Sequence, residues 1–118
     1  MNFLQTLSEE DNAYIIAEIG NNHQGSLDMA LKMSEEAILC GVDAIKFQKR
    51  NNRELFTDKF YNSPYENSNS FGNSYGVHRD NLELSIEDLA KLKAYIESKN
   101  CDFLVTPFDF RSLEELEK

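Results

Sequence analysis

The sequence predicts an α/β fold with parallel strands, because short apolar runs alternate with segments of helical periodicity. Two such runs, residues 14–18 and 43–48, flank a segment of helical spacing at residues 26–41. The first run stops before Gly20 and is typical of a buried strand. Strand, helix and strand within about 30 residues form a βαβ unit, whose crossover is right-handed and whose strands are therefore parallel. A third run, residues 103–106, predicts a further strand closed by Pro107.

Each predicted helix begins at a residue whose side chain can accept a hydrogen bond from the first turn. Ser26 precedes the first helix, with Asp28 near the positive end of the helix dipole and Gly41 as its stop. Ser85 opens the second helix as part of a capping-box variant, and the same pattern predicts that a third helix begins at Ser112. The apolar stripe of the second helix is predicted to contain Ile86, Leu89, Leu92, Ala94 and Ile96.

The segment between the second strand and the second helix, residues 49–84, is rich in Asn, Ser, Gly and aromatic residues. Structureless connectors longer than about 15 residues are uncommon in compact domains, and those that occur are usually functional or disordered. Aromatic side chains favour an ordered, packed loop over a disordered linker. The aromatic residues of this segment include Phe56, Phe60, Tyr61, Tyr65, Phe71 and Tyr75.

The number of βα units and the chain length together predict part of a larger barrel. Three units occur in 118 residues with no fourth strand, which leaves a parallel sheet open at its edge. A TIM (β/α)8 barrel needs about 250 residues, so we expect residues 1–118 to be its truncated N-terminal portion, a partial barrel domain. The alternative is a complete small α/β module that binds a sugar or regulates another protein. Such a module would need its own core and covered sheet edges.

Charge and composition exclude several classes of partner. The chain carries 21 acidic and 12 basic side chains, a net charge of −9, which argues against binding nucleic acid or an anionic membrane surface. No apolar run approaches the roughly 20 residues that cross a bilayer, and residues 1–4 lack the pattern of a signal peptide. We therefore expect a cytoplasmic protein with a small-molecule partner. Cys40 and Cys101 are expected to be buried, reduced thiols.

Polar side chains gather where the predicted strands end. Period-2 alternation places Glu18 at the end of the first strand, Lys46 and Gln48 on one face of the second, and Thr106 at the end of the third. Ligands of α/β proteins bind outside the carboxyl ends of parallel strands, so these four residues predict a single site. The alternative for Glu18 and Lys46 is a buried ion pair with a purely structural role.

Neither histidine belongs to a recognisable metal motif. His23 lies in the predicted loop between Gly20 and Gly25, and His78 lies in the long segment. An isolated loop histidine is more often solvated than a ligand, and no HxH or HExxH spacing occurs, so the chain predicts no complete metal site of its own. Asn21 and Asn22 are equally compatible with turn formation and with a functional role.

Four ordered blocks of sequence stand out between Ile16 and Asp109. They read Ile-Ala-Glu-Ile-Gly-Asn-Asn-His-Gln-Gly-Ser at residues 16–26, Asp-Ala-Ile-Lys-Phe-Gln at 43–48, Ser-Phe-Gly-Asn-Ser-Tyr-Gly-Val-His-Arg at 70–79 and Thr-Pro-Phe-Asp at 106–109. In this order they resemble the N-acetylneuraminate (sialic acid) synthase family. The resemblance implies a TIM barrel, followed by a small antifreeze-like domain that reaches into the partner's site in a domain-swapped homodimer.

The resemblance also implies a reaction. Phosphoenolpyruvate condenses with N-acetylmannosamine or a related amino sugar, while water attacks and C–O cleavage releases phosphate. A divalent metal, Mn²⁺ or Mg²⁺, polarises the sugar aldehyde, and its histidine ligands lie on later strands outside this chain. We therefore expect residues 1–118 alone to be inactive. Enzymes that make legionaminic, pseudaminic or spore-coat sugar acids remain alternatives, because these blocks do not separate their acceptors.

The resemblance further assigns roles to particular residues. Glu18 would contact the acceptor near the reacting carbonyl, and Lys46 would bind phosphoenolpyruvate. The resemblance implies seven substrate-binding residues in three places. They are Gln48 and Thr106 at the mouth of the barrel, where its strands end, Asn22 and His23 in the first loop, and Tyr75, His78 and Arg79 in the loop over the sugar.

Overall fold

The structure is a computed structural model that describes residues 13–118, so the signal-peptide argument at residues 1–4 lies outside the described part. The strands are β1 (Ile16–Gly20), β2 (Ala44–Lys49) and β3 (Asp102–Pro107). The helices are α1 (Leu27–Leu39), α2 (Asn52–Leu55), α3 (Asp58–Tyr61), α4 (Tyr75–Asp80), α5 (Ile86–Glu97) and α6 (Phe110–Leu116).

The three strands form one parallel sheet in the order β1-β2-β3, which confirms the predicted α/β class. Glu18 lies opposite Lys46, and Lys46 lies opposite Leu104. Gln48 lies opposite Thr106 one pleat further on. The predicted strand ends therefore meet at one edge of the sheet. β1 begins at Ile16, two residues later than its apolar run suggested.

One face of the sheet is covered by α1 and α5. Ile45 and Phe47 of β2 are fully buried there, together with Leu92 and Ile96 of α5. Burying a side chain of this size contributes roughly 1.5–3 kcal/mol, so this face stabilises the fold. The prediction that Ala94 belongs to the stripe of α5 is wrong, because a step of two residues turns the helix by about 200° and points Ala94 away from Leu92.

Predicted helix caps are confirmed at two of the three helices. Ser26 Oγ accepts a hydrogen bond from Met29 N at 3.2 Å, and Ser85 Oγ accepts one from Asp88 N at 3.1 Å. The predicted start of the third helix at Ser112 is wrong. α6 begins three residues after β3, because the carboxylate of Asp109 accepts hydrogen bonds from Ser112 N at 2.7 Å and Ser112 Oγ at 2.8 Å.

The long segment is ordered and packed, as its aromatic content predicted, and it contains α2, α3 and α4. The ring of Phe60 lies 4.8 Å from that of Tyr75, and the ring of Tyr65 lies 4.5 Å from that of His78. Gly76 packs directly on Tyr61, where a Cβ would lie 2.1 Å from the aromatic ring. The segment is therefore a compact lobe in which no larger residue fits at position 76.

The two cysteines differ in their surroundings. Cys101 is buried, as expected, but Cys40 is exposed at the C-terminal cap of α1, so the expectation of a buried thiol is wrong there. Cys40 follows the last turn of α1, beyond its packed stripe, and no element of residues 13–118 covers its side chain. No helix within residues 13–118 is long and apolar enough to cross a membrane.

Candidate functional site at the carboxyl edge of the sheet

Glu18 and Lys46 form an ion pair at the open face of the sheet. Lys46 Nζ lies 2.5 Å from Glu18 Oε1, which confirms that the alternation of the two strands brings these side chains together. The Glu18 side chain is 58% exposed and that of Lys46 is 30% exposed. Within residues 13–118 no element covers that face, so the pair is partly exposed there, and the structural alternative for Glu18 and Lys46 stays open.

A bulge at the end of β1 brings the first loop beside the pair. Lys46 pairs with Glu18 but Phe47 pairs with Gly20, so Ile19 is an extra residue in β1. Such bulges bend a strand and redirect its side chains, often beside active sites. Gly20 adopts φ +62°, and a Cβ there would lie 3.4 Å from Gln48 Nε2. Gln48 is thereby placed between the first loop and the end of β2.

Gln48 also contacts a residue that follows β2. Arg50 Nη1 donates a hydrogen bond to Gln48 Oε1 at 2.6 Å, and the Arg50 guanidinium lies 3.8 Å from the ring centre of Phe108. A guanidinium over an aromatic face is attracted by the ring quadrupole. Thr106, opposite Gln48 in the sheet, lies two residues before Phe108. The ends of β2 and β3 thus hold one cation in a defined position.

Glu83 lies among several cations behind this edge. Glu83 Oε2 accepts a hydrogen bond from Arg50 N at 3.1 Å and lies 3.9 Å from Lys49 Nζ, which donates to the Leu84 carbonyl at 2.9 Å. Burial raises the pKa of Glu83, opposed by the Arg50 hydrogen bond and by the charges of Lys49, Arg50 and Arg79. Burial lowers the pKa of Arg50, and the nearby charge of Arg79 lowers it further.

Asp109 connects the loops that follow β2 and β3. Its Oδ2 accepts a hydrogen bond from Asn51 N at 2.7 Å, in addition to the bonds from Ser112 that cap α6. Burial alone would raise the pKa of Asp109, but the hydrogen bonds from Asn51 and Ser112 lower it overall. This carboxylate therefore stays ionised and holds the two loops against each other.

The first loop places Asn22 and His23 differently. His23 is 1% exposed, its Nδ1 accepts a hydrogen bond from Gly25 N at 3.0 Å, and its ring lies 5.9 Å from Phe47. The expectation of a solvated His23 is wrong, because the loop folds the ring onto the core. Burial lowers its pKa, opposed by a hydrogen bond to the Gly20 backbone. Asn22 is exposed, and its Nδ2 donates to the Ile19 carbonyl at 2.8 Å, which favours the turn-forming interpretation.

The residues expected to cover the sugar lie in α4. His78 is buried, its Nδ1 accepts a hydrogen bond from Phe71 N at 3.1 Å, and burial followed by the charge of Arg79 lowers its pKa. The solvated interpretation is therefore wrong for His78 also, because the aromatic rings of the lobe enclose it. Tyr75 packs within the same ring cluster. Of this group, Arg79 and Tyr75 both act electrostatically on Arg50 at the edge of the sheet, and Arg79 also acts on Glu83.

The described residues do not fit a divalent metal. Within residues 13–118, no group of three or more His, Cys, Asp or Glu side chains is placed to hold a metal ion. His23 and His78 each use Nδ1 to accept a backbone N–H. The expectation that a metal is bound by residues of later strands stays a prediction.

Sequence reasoning missed Lys49, Arg50 and Glu83. The signal for the first two was available, because they directly follow Gln48 at the carboxyl end of a parallel strand, where α/β proteins bind ligands. No local sequence pattern predicted that Glu83 lies near the site. Its place depends on how residues 50–84 return to the sheet.

Comparisons with known proteins agree with this geometry. The sequence model described as the NeuB family matches residues 33–118. N-acetylneuraminate-9-phosphate synthase of Drosophila melanogaster is 41% identical over 106 residues, which are 90% of this chain and 28% of that protein. N,N'-diacetyllegionaminic acid synthase of Campylobacter jejuni is 33% identical over 103 residues, 86% of this chain and 31% of that protein.

Among solved structures, the chain resembles the N-acetylneuraminic acid (sialic acid) synthetase of Leptospira borgpetersenii in complex with citrate. The TM-score is 0.67 at 33% identity, and the match covers 88% of this chain and 32% of that one. The chain thus spans less than a third of the length of these relatives. Because the family model matches most of the chain and its three-stranded parallel sheet matches a sialic acid synthetase, the chain belongs to the NeuB family.

Proposed function

We propose that the protein containing this chain condenses phosphoenolpyruvate with an N-acetylated amino sugar, giving a nonulosonic acid and phosphate. The observation that carries this proposal is the half-exposed pair of Glu18 and Lys46 at the carboxyl edge of the sheet. Membership of the NeuB family supports it. The chain covers under a third of its relatives, so we assign the activity to the longer protein.

The reaction forms one carbon–carbon bond and one C–O bond from water, and it breaks the C–O bond to phosphate. C3 of phosphoenolpyruvate attacks the sugar aldehyde, water adds to C2, and phosphate leaves as the C2 ketone forms. The aldehyde oxygen takes up a proton as the carbon bond forms. The site must therefore supply both a cation for the phosphoenolpyruvate anion and a proton for the aldehyde oxygen.

Lys46 and Glu18 have the chemistry for two of these tasks. Lys46 is a compact cation that would pair with the anionic phosphoenolpyruvate, and the interaction strengthens when water is excluded. Glu18 would take a proton from the attacking water and pass it to the aldehyde oxygen, or it would orient the sugar hydroxyls. In the free protein each side chain neutralises the other, so substrate would replace Glu18 at Lys46 and release its carboxylate toward the sugar.

The acceptor that we propose is phosphorylated at C6. Addition of three carbons to C1 of a six-carbon sugar turns its C6 into C9, so a 9-phosphate product arises from a 6-phosphate acceptor. The 41% identity to a protein named as a 9-phosphate synthase, against 33% to a legionaminic acid synthase, favours this acceptor. The second candidate is the unphosphorylated amino sugar.

We further propose that the rest of the protein completes a TIM barrel and adds an antifreeze-like domain in a homodimer. The ligands of its divalent metal would then come from outside residues 13–118. On this proposal residues 1–118 alone catalyse no condensation.

The test is phosphate release from phosphoenolpyruvate by the purified full-length protein. We expect release only when an amino sugar is present, with kcat/KM higher for N-acetylmannosamine 6-phosphate than for N-acetylmannosamine. Residues 1–118 expressed alone are the matched control and should release none. Sugar binding without phosphate release in the full-length protein would overturn the proposal in favour of a regulatory sugar-binding module.

A further inference from the structure

We propose that Arg50 and Arg79 form a subsite for the phosphate monoester at C6 of the acceptor sugar. This inference rests on the proposed function and names the residues that would distinguish the phosphorylated acceptor. It concerns a part of the edge that lies beyond Lys46, between the ends of β2 and β3 and the lobe that carries α4.

Arg50 is held in place from two sides before any ligand binds. Its Nη1 donates to Gln48 Oε1 at 2.6 Å, and its guanidinium carbon lies 3.8 Å from the ring centre of Phe108. These contacts use one of the five N–H donors of the guanidinium and leave the others for a ligand. A cation that is already oriented loses little conformational freedom when an anion binds.

Arg79 lies in the lobe beside the segment of Arg50, because the neighbouring Asp80 accepts a hydrogen bond from Asn52 Nδ2 at 2.8 Å, and it has an unused donor. Its Nε is buried and has no hydrogen-bond partner among residues 13–118. Among residues 13–118 the ion pairs involve Lys46, Lys49, Lys91 and Arg111, so neither guanidinium forms a direct ion pair, and Glu83 is the carboxylate whose charge acts on both arginines. An unpaired buried donor is unfavourable, and a bound anion would satisfy it.

The local charge favours an anion with more than one negative charge. Arg50 and Arg79 act on each other as like charges, and the one carboxylate that both face, Glu83, is shared with Lys49. This excess of positive charge stands out in a chain whose net charge is −9. A phosphate monoester is dianionic and accepts bidentate hydrogen bonds from guanidinium groups, so it matches two arginines.

The position of the pair favours the phosphate of the acceptor over that of phosphoenolpyruvate. Arg50 follows Lys46 by four residues along an extended chain, a separation of about 13 Å at roughly 3.3 Å per residue. Phosphoenolpyruvate bound at Lys46 reacts through the sugar aldehyde, so the aldehyde end of the acceptor lies near Lys46 and Glu18. An acceptor extended along β2 would then carry C6 toward Arg50.

The test is substrate binding by the full-length protein and by its Arg79→Gln and Arg50→Gln variants. We expect each variant to weaken binding of N-acetylmannosamine 6-phosphate by roughly 10-fold to 100-fold, the range for losing a hydrogen bond to a charged group. Binding of phosphoenolpyruvate and of unphosphorylated N-acetylmannosamine should change less than twofold. Arg79→Lys should restore part of the affinity. The matched control is Arg111→Gln, because Arg111 is exposed on α6 and pairs with Glu115.

Three outcomes would overturn the subsite. If the variants weaken the binding of phosphoenolpyruvate instead, Arg50 and Arg79 bind the phosphate of that substrate. If they bind all three ligands normally but unfold at lower temperature, the arginines are structural. If the protein without substitutions binds N-acetylmannosamine 6-phosphate and N-acetylmannosamine with equal affinity, it has no subsite for the phosphate. Binding is measured without turnover, so failure of the proposed function, seen as no phosphate release with either sugar, is a separate result. Because the arginines come from different elements, Arg50→Gln still tests the subsite if Arg79→Gln fails to fold.

Discussion

The two faces of the sheet are built by the same three strands but differ in the burial of their side chains. On the covered face, Ile45 and Phe47 are fully buried against α1 and α5. On the open face, Glu18, Lys46 and Leu104 share one register row and are half-exposed or exposed. Alternation along a strand separates the two sets of side chains by one residue. Substitutions on the covered face should therefore lower stability, whereas substitutions of the next residue along the strand, on the open face, should lower activity.

The largest expected effect lies on the covered face. Phe47→Ala in the full-length protein should lower the free energy of unfolding by about 3–5 kcal/mol, because it leaves a cavity between the sheet and its helices. Urea unfolding measures the change. Leu39→Ala is the control, since Leu39 is 75% exposed at the end of α1, and it should change stability by less than about 0.5 kcal/mol. A similar loss in both variants would contradict the separation of the faces.

On the open face, Glu18→Gln should lower kcat by about 100-fold, the scale for losing a positioned acid or base, which is about 2.7 kcal/mol. Its stability should change much less than that of Phe47→Ala, because Gln keeps the shape and the hydrogen bonding of Glu18 and leaves no cavity. Steady-state kinetics at saturating substrates, together with the unfolding midpoint, measure both quantities. If kcat stays at the original value while the midpoint falls, Glu18 belongs to the scaffold. The Glu18→Gln, Lys46→Met double variant should then recover the lost stability.

Lys46→Ala should raise the KM for phosphoenolpyruvate by about 10-fold and lower kcat/KM, because the substrate loses its cation. The KM for the amino sugar should change less. Lys91→Ala is a suitable control, since Lys91 is an exposed cation on α5 that is paired with Asp88. Unchanged kinetics with a lowered unfolding midpoint would make the pair with Glu18 structural.

The smallest expected effect is a pH dependence from His23, which packs on the covered face. Burial lowers its pKa in the folded protein below that in the unfolded chain. The unfolded state therefore binds the proton more readily, so the stability contributed by neutral His23 is present above its ordinary pKa and is lost as pH falls through the folded value. The unfolding midpoint should decrease from pH 7 to pH 5, and less so in His23→Asn. His78, whose pKa is also lowered, should account for a remaining slope. An identical slope in both proteins would show that His23 does not titrate on unfolding.

The elements of the fold and the pair at its edge follow from local patterns. The capping serines, Ser26 and Ser85, and the apolar strand runs predicted the α/β order within about two residues, because each signal acts on its immediate neighbours. Glu18 and Lys46 were predicted to meet because strand alternation and parallel pairing are nearly the same in every α/β sheet. Their exposure was not predictable, because it depends on what covers the sheet.

The tertiary structure alone decided how the long segment completes the site. The contact between Arg50 and Phe108, the position of Glu83 among three cations and the burial of both histidines join residues that are far apart or lie in irregular loops. No periodicity describes such loops, since their course is set by individual contacts such as Gly25 against the Asn81 carbonyl, where a Cβ would lie 2.3 Å away. The sequence by itself thus determined which strands carry the groups that we propose to react, whereas packing of the lobe decided which charges surround them.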